Sequence, residues 1–375
     1  MVVRYQLSYA KKRLFKGKAL IIYGSRQAGK TTFANMLIES SEKEVLRFNA
    51  DEADVRELFE RPNVSRLKAI IGKAKIVLID EAQRIEEAGL LLKILVDNFK
   101  DVQVIATGSS SFELAGRVNE SLTGRKYEIF LHPLSYSELV NHNGLLEEER
   151  SLEQRLIYGS YPEIINHPDM AEEHLKLLCN SYLYKDIFAL ERISRPVVFE
   201  KIVKALALQV GSEVNMNEIA QLVKCDYKTV DKYIALLEKA FVVFRLPAYS
   251  GNVRNEIKKG FKVYFYDNGI INAITGTFEP ISKRKDIGSL WENYLVSERL
   301  KRNNFLHNNL RTYFWRTTQQ QEIDFIEEGN ELNAFEFKWN SNKNVKFSKT
   351  FTEAYPKAQT ILVNPKTVNE FLFVE

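Results

Sequence analysis

Lys30 and Thr31 are the residues whose surroundings most clearly prepare them for chemistry. They close the octapeptide Gly24-Ser25-Arg26-Gln27-Ala28-Gly29-Lys30-Thr31, which fits GxxxxGK[ST] and lies between a strand-like run at 19–23 and a helix-like run at 32–40. Two glycines let the backbone curl so that successive N–H groups face phosphate oxygens, and the helix start adds a favourable partial charge. Lys30 would then meet the β- and γ-phosphates and Thr31 would offer its hydroxyl to Mg²⁺. The expected nucleotide-contacting set is this octapeptide together with Thr32.

A second pair of reactive groups, Asp80 and Glu81, ends the apolar run at 75–79, of the kind a parallel strand buried on both faces presents. Ligands of open parallel sheets bind beyond the carboxyl ends of the strands, so this run would deliver both carboxylates beside the phosphate loop. Asp80 would hold Mg²⁺ through water, and Glu81 would activate the attacking water. Another buried-strand run at 102–106 leads into Thr107-Gly108-Ser109-Ser110-Ser111. Ser109 in this hydroxyl cluster either positions the hydrolytic water or caps the helix that follows, and both roles fit. Arg117 and Arg125 precede a strand at 127–131 and are candidates for an arginine that stabilises transition-state charge, in its own chain or in a neighbouring copy of a homo-oligomer; Arg125 is preferred.

A third set lies near the C-terminus. In the strand-like run 334–339, period-two alternation places Glu336 and Lys338 on one face and Phe335, Phe337 and Trp339 on the other. An upstream strand at 321–326 would pair with it as a hairpin and bring Asp324 towards Glu336. Two carboxylates and a lysine so arranged match the layout of PD-(D/E)xK nucleases, in which the acids hold Mg²⁺ and the lysine helps position water. Glu292, on the preceding helix, would be the additional acidic ligand. The same alternation is common in amphipathic hairpins with one solvated face, and that reading stays open.

The elements between these groups supply the frame. The chain has 375 residues, 45% of them hydrophobic, enough for more than one core. A formal net charge of +4 permits an acidic partner such as nucleic acid without requiring one. The six Lys and Arg residues between 4 and 18 form either a solvated helix face or part of a nucleic-acid surface. Cys179 and Cys225 cannot build a disulfide framework, and five scattered histidines show no zinc spacing. The apolar runs are shorter than a membrane span and the N-terminus lacks a signal-peptide pattern, so a cytoplasmic location is expected. Residues 133–196 read as helical. Residues 199–243 carry a helix-turn-helix rhythm, with Val230, Tyr233, Ile234 and Leu237 on one core face, and strands at 241–247 and 261–266 would form a wing. DNA would meet Lys228, Thr229 and Lys232 in the groove, and Arg254, Lys258 and Lys259 at the phosphates. Seven Lys and Arg against six Asp and Glu over 197–246 suit a packing module about equally well.

Taken together, GSRQAGKT, LIDEAQ, ATGSSSFEL, LTGRKYEIFLHPLSYSEL, YGSYPEI, LWENYL, EIDFI and EFKW resemble the bacterial and archaeal AAA-type ATP-binding proteins whose C-terminal domain of unknown function is similar to restriction endonucleases. The resemblance implies an α/β protein: a P-loop ASCE ATPase core with a parallel sheet (1–140), a helical lid (141–197), a winged helix (198–282) and a C-terminal restriction-endonuclease-like α/β domain (283–375). It implies ATP and Mg²⁺ as cofactors, nucleotide roles for Lys30, Thr31, Asp80 and Glu81, and nuclease-like roles for Asp324, Glu336 and Lys338. Ile323 replaces the proline expected before the acid, which weakens any implication of cleavage. The functional expectation is an ATPase whose turnover acts on DNA through the later modules. The alternatives are a nucleotide-dependent switch with a silent nuclease-like domain, and a regulator acting through the winged helix alone.

Overall fold

A computed structural model of the chain describes every residue except 40, 109–121, 182–186, 188–192, 194, 251–259, 309, 343–345 and 375. The expectations for Ser109, Arg117, Arg254, Lys258 and Lys259 lie outside the described residues. The chain divides into two compact units, the first formed by Met1–Pro133 with Lys239–Phe241, the second by Leu134–Glu238 with Val242–Glu375.

The first unit is built on five parallel strands: β1 (Ala19–Gly24), β2 (Val45–Asn49), β3 (Ile76–Asp80), β4 (Gln103–Gly108) and β5 (Lys126–Leu131), in the order β2-β3-β4-β1-β5. Strands β1 and β4 are buried at every position, which is why they read as unbroken apolar runs. Helices α1 (Gln6–Lys11), α2 (Lys30–Glu39), α3 (Ala53–Leu58), α4 (Val64–Ile71) and α5 (Ala88–Asn98) complete the unit. Phe33, Leu37 and Ile38 of α2 pack in one core cluster with Leu20, Ile22, Leu78 and Ile105 of the sheet. That packing fixes the start of α2 at the carboxyl end of β1. The topology decides the site: β4 stands between β1 and β3, so the loop after β1 and the acids after β3 flank the end of a third strand.

The N-terminal basic segment is partly drawn into this core. Arg4 is buried, and its guanidinium donates to the Ala28 and His132 carbonyl oxygens at 3.4 and 2.5 Å. At this position neither a solvated face nor a nucleic-acid surface applies; Arg4 braces the loop after β1 against the end of β5.

The second unit begins with α6 (Tyr136–Asn143), α7 (Leu145–Arg150), α8 (Leu152–Tyr158), α9 (Pro162–Asn166) and α10 (Ala171–Leu178). Then come α11 (Pro196–Leu208), α12 (Met216–Val223), α13 (Tyr227–Lys239) and the antiparallel pair β6 (Val243–Pro247) and β7 (Phe261–Phe265), with a lone bridge between Glu213 and Lys262. Val230, Tyr233, Ile234 and Leu237 of α13 are buried together, as their spacing requires. After α14 (Asn268–Thr275) and the long α15 (Ile287–Phe305), a four-stranded sheet follows, in the order β11-β10-β9-β8. Its strands are β8 (Arg311–Arg316), β9 (Glu322–Glu328), β10 (Leu332–Phe337) and β11 (Gln359–Val363), flanked by α16 (Lys349–Ala354) and α17 (Val368–Leu372). Strands β8, β9 and β10 are antiparallel neighbours, and β11 joins β10 in parallel.

Buried amides bind the segments of this unit together. Asn268 donates to the carbonyl oxygens of Leu156 and Leu290, Asn272 donates to those of Leu156 and Ile157, and the Asn293 side chain bonds both N–H and C=O of Phe265. These contacts link α8, β7, α14 and α15, elements that the sequence divides among three modules.

Candidate functional site

The first site lies at the carboxyl edge of the parallel sheet. After Gly24 the loop turns through Gln27 and Gly29, at φ 60° and 88°, and α2 begins at Lys30. A Cβ at Gly24 would stand 2.0 Å from the Leu131 carbonyl oxygen, so only glycine fits there. Ser25 and Ala28 are buried, Arg26 and Gly29 half-buried, and Gln27, Thr31 and Thr32 exposed. The first turn of α2 holds no acid, and a helix's first N–H groups lack intrahelical acceptors, so this end suits an anion.

Lys30 is buried, and its ammonium donates to the carbonyl oxygens of Gly24 and Ser25 at 3.2 and 3.0 Å. Burial pushes its pKa down to about 8, against the opposing pull of Glu81 and Asp80. Asp80 is held from two sides: Thr31 Oγ1 donates to Oδ2 at 2.8 Å, and Thr107 Oγ1 donates to Oδ1. Glu81 takes left-handed backbone angles, φ 50° and ψ 40°, and its N–H donates to Thr107 Oγ1 at 3.1 Å. Its carboxylate accepts from Gln83 Nε2.

Lys30, Thr31, Asp80 and Glu81 thus converge as their spacing predicts. The hydroxyl that β4 brings to them within the described residues is Thr107, two residues before Ser109, which lies outside those residues. Register explains it: Ile22 of β1 faces Thr107, and Ile79 of β3 faces Ala106, so the end of β4 is level with Asp80. Arg125 is a correction for the single chain. Its carbonyl pairs with the N–H of Ala19 at the opposite, amino edge of β1, and its guanidinium pairs with Asp97 at 2.7 Å. At ~3.3 Å per residue, the length of β1 keeps it roughly 17–20 Å from the loop. Sequence reasoning placed Arg4 only in a basic segment and passed over Gln83, which was visible in the run Asp80-Glu81-Ala82-Gln83, but nothing in the sequence aims its amide.

The second site lies in the C-terminal sheet. Ladder pairing of β9 with β10 reaches Phe325 and Phe335, and one step on, the Phe337 N–H donates to Asp324 Oδ2 at 2.7 Å. Lys338 Nζ stands 3.0 Å from Glu336 and 3.6 Å from Asp324, so these three do converge. Glu292 is instead taken by Lys262 at 2.9 Å and by the Tyr264 hydroxyl at 2.6 Å, and Lys262 also pairs with Glu322. Lys262 and Tyr264 alternate along β7 and share a fully buried face, a signal that period two could have given. Burial pushes Glu292 up to about 7, with Lys262 opposing and Asp324 adding to the rise; burial and Asp324 do the same to Glu336, also to about 7. Among the described residues no group of three or more acids, histidines or cysteines is arranged to hold a metal ion. Lysines stand between the acids that were expected to share one.

Three family models match successive segments of the chain. A family model described as an AAA domain matches residues 16–140. This segment is an AAA-type P-loop ATPase domain. Beyond the AAA domain, two models described as domains of unknown function match residues 149–280 (DUF8612) and 287–372 (DUF4143). An uncharacterized protein of Mycobacterium tuberculosis is 25% identical over 345 residues, covering 89% of this chain and 73% of its own. One of Methanocaldococcus jannaschii is 24% identical over 337 residues, 84% and 73% of the two chains. Among solved structures, a Walker-type ATPase of Pyrococcus abyssi is similar at 15% identity and a TM-score of 0.46, over 73% of this chain and 96% of that one. A signal-transduction ATPase with numerous domains from Pyrococcus horikoshii is similar at 14% identity and a TM-score of 0.30, over 82% and 46%. No helix among the described residues is long and apolar enough to cross a membrane.

Proposed function

We propose that the protein is a Mg²⁺-dependent ATPase whose nucleotide site is assembled by Lys30, Thr31, Asp80, Glu81 and Thr107. The observation that carries this reading is the double grip on Asp80 by Thr31 and Thr107, beside the buried, depressed Lys30. A hydroxyl and a carboxylate are hard oxygen donors, which suits Mg²⁺. When bound, the ion neutralises charge on the β- and γ-phosphate oxygens. Lys30 would leave its carbonyl partners for those phosphates, the loop N–H groups would cradle them, and Glu81 would accept the proton of the attacking water. Any arginine acting on the γ-phosphate through Arg125 comes from a second copy.

Phosphate release from Mg-ATP by the full chain tests this reading. Glu81→Gln is expected to keep ATP binding while turnover falls roughly 10²–10⁴-fold. Turnover at the wild-type rate in that variant would remove Glu81 as the base.

For the later segments we propose a winged helix formed by α11, α12, α13, β6 and β7, and a nuclease-like sheet carrying Asp324, Glu336 and Lys338, together acting on DNA under nucleotide control. A second reading, a nucleotide-dependent switch with a silent C-terminal site, is favoured by one observation: Lys262 is seated between Glu292 and Glu322. DNA incubated with the protein, Mg²⁺ and ATP separates them. The nuclease reading expects cleavage that Lys338→Ala abolishes; intact DNA with Mg²⁺ and with Mn²⁺ sustains the switch.

A further inference from the structure

The AAA domain's acidic pair is followed by a 3-10 turn, Ala82–Arg84, whose middle residue has no role in the scheme above. Gln83 is 5% exposed, and its Nε2 donates to the Glu81 carboxylate. Glu81 is already fixed at its main chain: the left-handed backbone aims its N–H at Thr107 Oγ1, and its carbonyl oxygen accepts from the Arg84 N–H at 2.9 Å. Non-glycine residues seldom hold such angles, and they persist where the surroundings over-determine them. What the backbone leaves free is rotation of the carboxylate, and Gln83 fixes that rotation.

An amide suits the task. A carboxylate here would repel Glu81, and an ammonium would pair with it and weaken it as a base; the amide donates a hydrogen bond and adds no charge. Holding a reacting group in its productive orientation is worth rate and does not require tighter ground-state binding.

We propose that Gln83 is a positioning residue whose amide holds the Glu81 carboxylate in the orientation in which it accepts the proton of the attacking water. This rests on the reading of Glu81 as the base.

The test measures steady-state Mg-ATP hydrolysis and fluorescent-ATP binding by the full chain. Gln83→Met keeps length and apolar packing without the donor, and Gln83→Glu keeps shape with a repelling charge. Both are expected to lower kcat about 10- to 100-fold while the Kd for ATP stays within about twofold. In a Glu81→Gln background, Gln83→Met is expected to cause no further loss, because the two residues act as one unit. Wild-type or faster turnover in Gln83→Met, a parallel loss of ATP affinity, or an additional loss in the double variant would each overturn the proposal. Thermal melting of both variants identifies one that has merely unfolded, and the other then decides. Failure of the underlying reading is separately visible, since Glu81→Gln would then turn over ATP normally.

Discussion

Both candidate sites place a buried lysine near two carboxylates, yet they leave it in opposite electrostatic states. Among the described residues Lys30 hydrogen-bonds only to carbonyl oxygens, and burial drags its pKa down to about 8. Lys262 touches Glu292 and Glu322 directly, and despite burial its pKa is raised. A buried charge that no counter-charge touches is a standing cost that an anion lowers; a buried charge already in contact with its partners has less to gain from an incoming ligand. The parallel sheet therefore presents a buried cation that a phosphate could pair with, whereas the mixed sheet has largely answered its own charges. Identical residue types produced different chemistry because their partners differ.

Removing each lysine should sharpen that contrast. Lys30→Met is expected to cost ATP affinity about 100-fold or more, measured by titration with a fluorescent analogue, and to raise the midpoint of thermal unfolding of the nucleotide-free protein, because it deletes a buried charge whose desolvation outweighs the pull of Glu81 and Asp80. A lowered midpoint would mean that Lys30 is better paired than its carbonyl contacts indicate. Lys262→Met should act in the opposite sense. It leaves the buried Glu292 without its cationic partner while Glu322 keeps Arg316, and denaturant unfolding should show a loss of about 3–5 kcal/mol. Adding Glu292→Gln should restore part of that loss, and a loss below about 1 kcal/mol for the single variant would show the pairing to be incidental.

The smallest expected effect is on pH. The folded-state pKa of Lys30, about 8, lies below the ordinary lysine value of 10.5. Between those values the unfolded chain binds more protons than the folded one, so the contribution of Lys30 to stability rises with pH across that window and its cost is fully present below it. Binding of ATP requires the charged lysine. Affinity should therefore fall as pH climbs through about 8, by at most about tenfold per pH unit, in calorimetric titrations from pH 7 to 10. A flat profile would break the assignment.

Much of the AAA domain was legible because its information is local. A phosphate loop depends on consecutive residues, and buried parallel strands announce themselves as unbroken apolar runs, as at 75–79 and 102–106. Helices α12 and α13 were readable for a related reason, since their apolar spacing and the intervening turn lie within a short window. The approach of Thr107 to Asp80 was not legible: it depends on the register of β4 against both neighbours. Nor was the remoteness of Arg125, which follows from β5 running parallel to β1, so that the residue before β5 lies at the amino edge.

By itself the sequence determined that Lys30, Thr31, Asp80 and Glu81 come together, that a parallel α/β sheet presents them, and that Asp324, Glu336 and Lys338 converge around one hairpin. Those conclusions need only spacing and period, which are properties of neighbouring residues. Tertiary structure alone decided that Arg4 braces the phosphate loop, that Gln83 holds Glu81, and that Lys262 from β7 answers acids on α15 and β9. Each of those is a contact between a side chain and a partner that backbone turns or packing bring near, and which partner arrives decides whether a buried lysine is lowered in pKa, as Lys30 is, or raised, as Lys262 is.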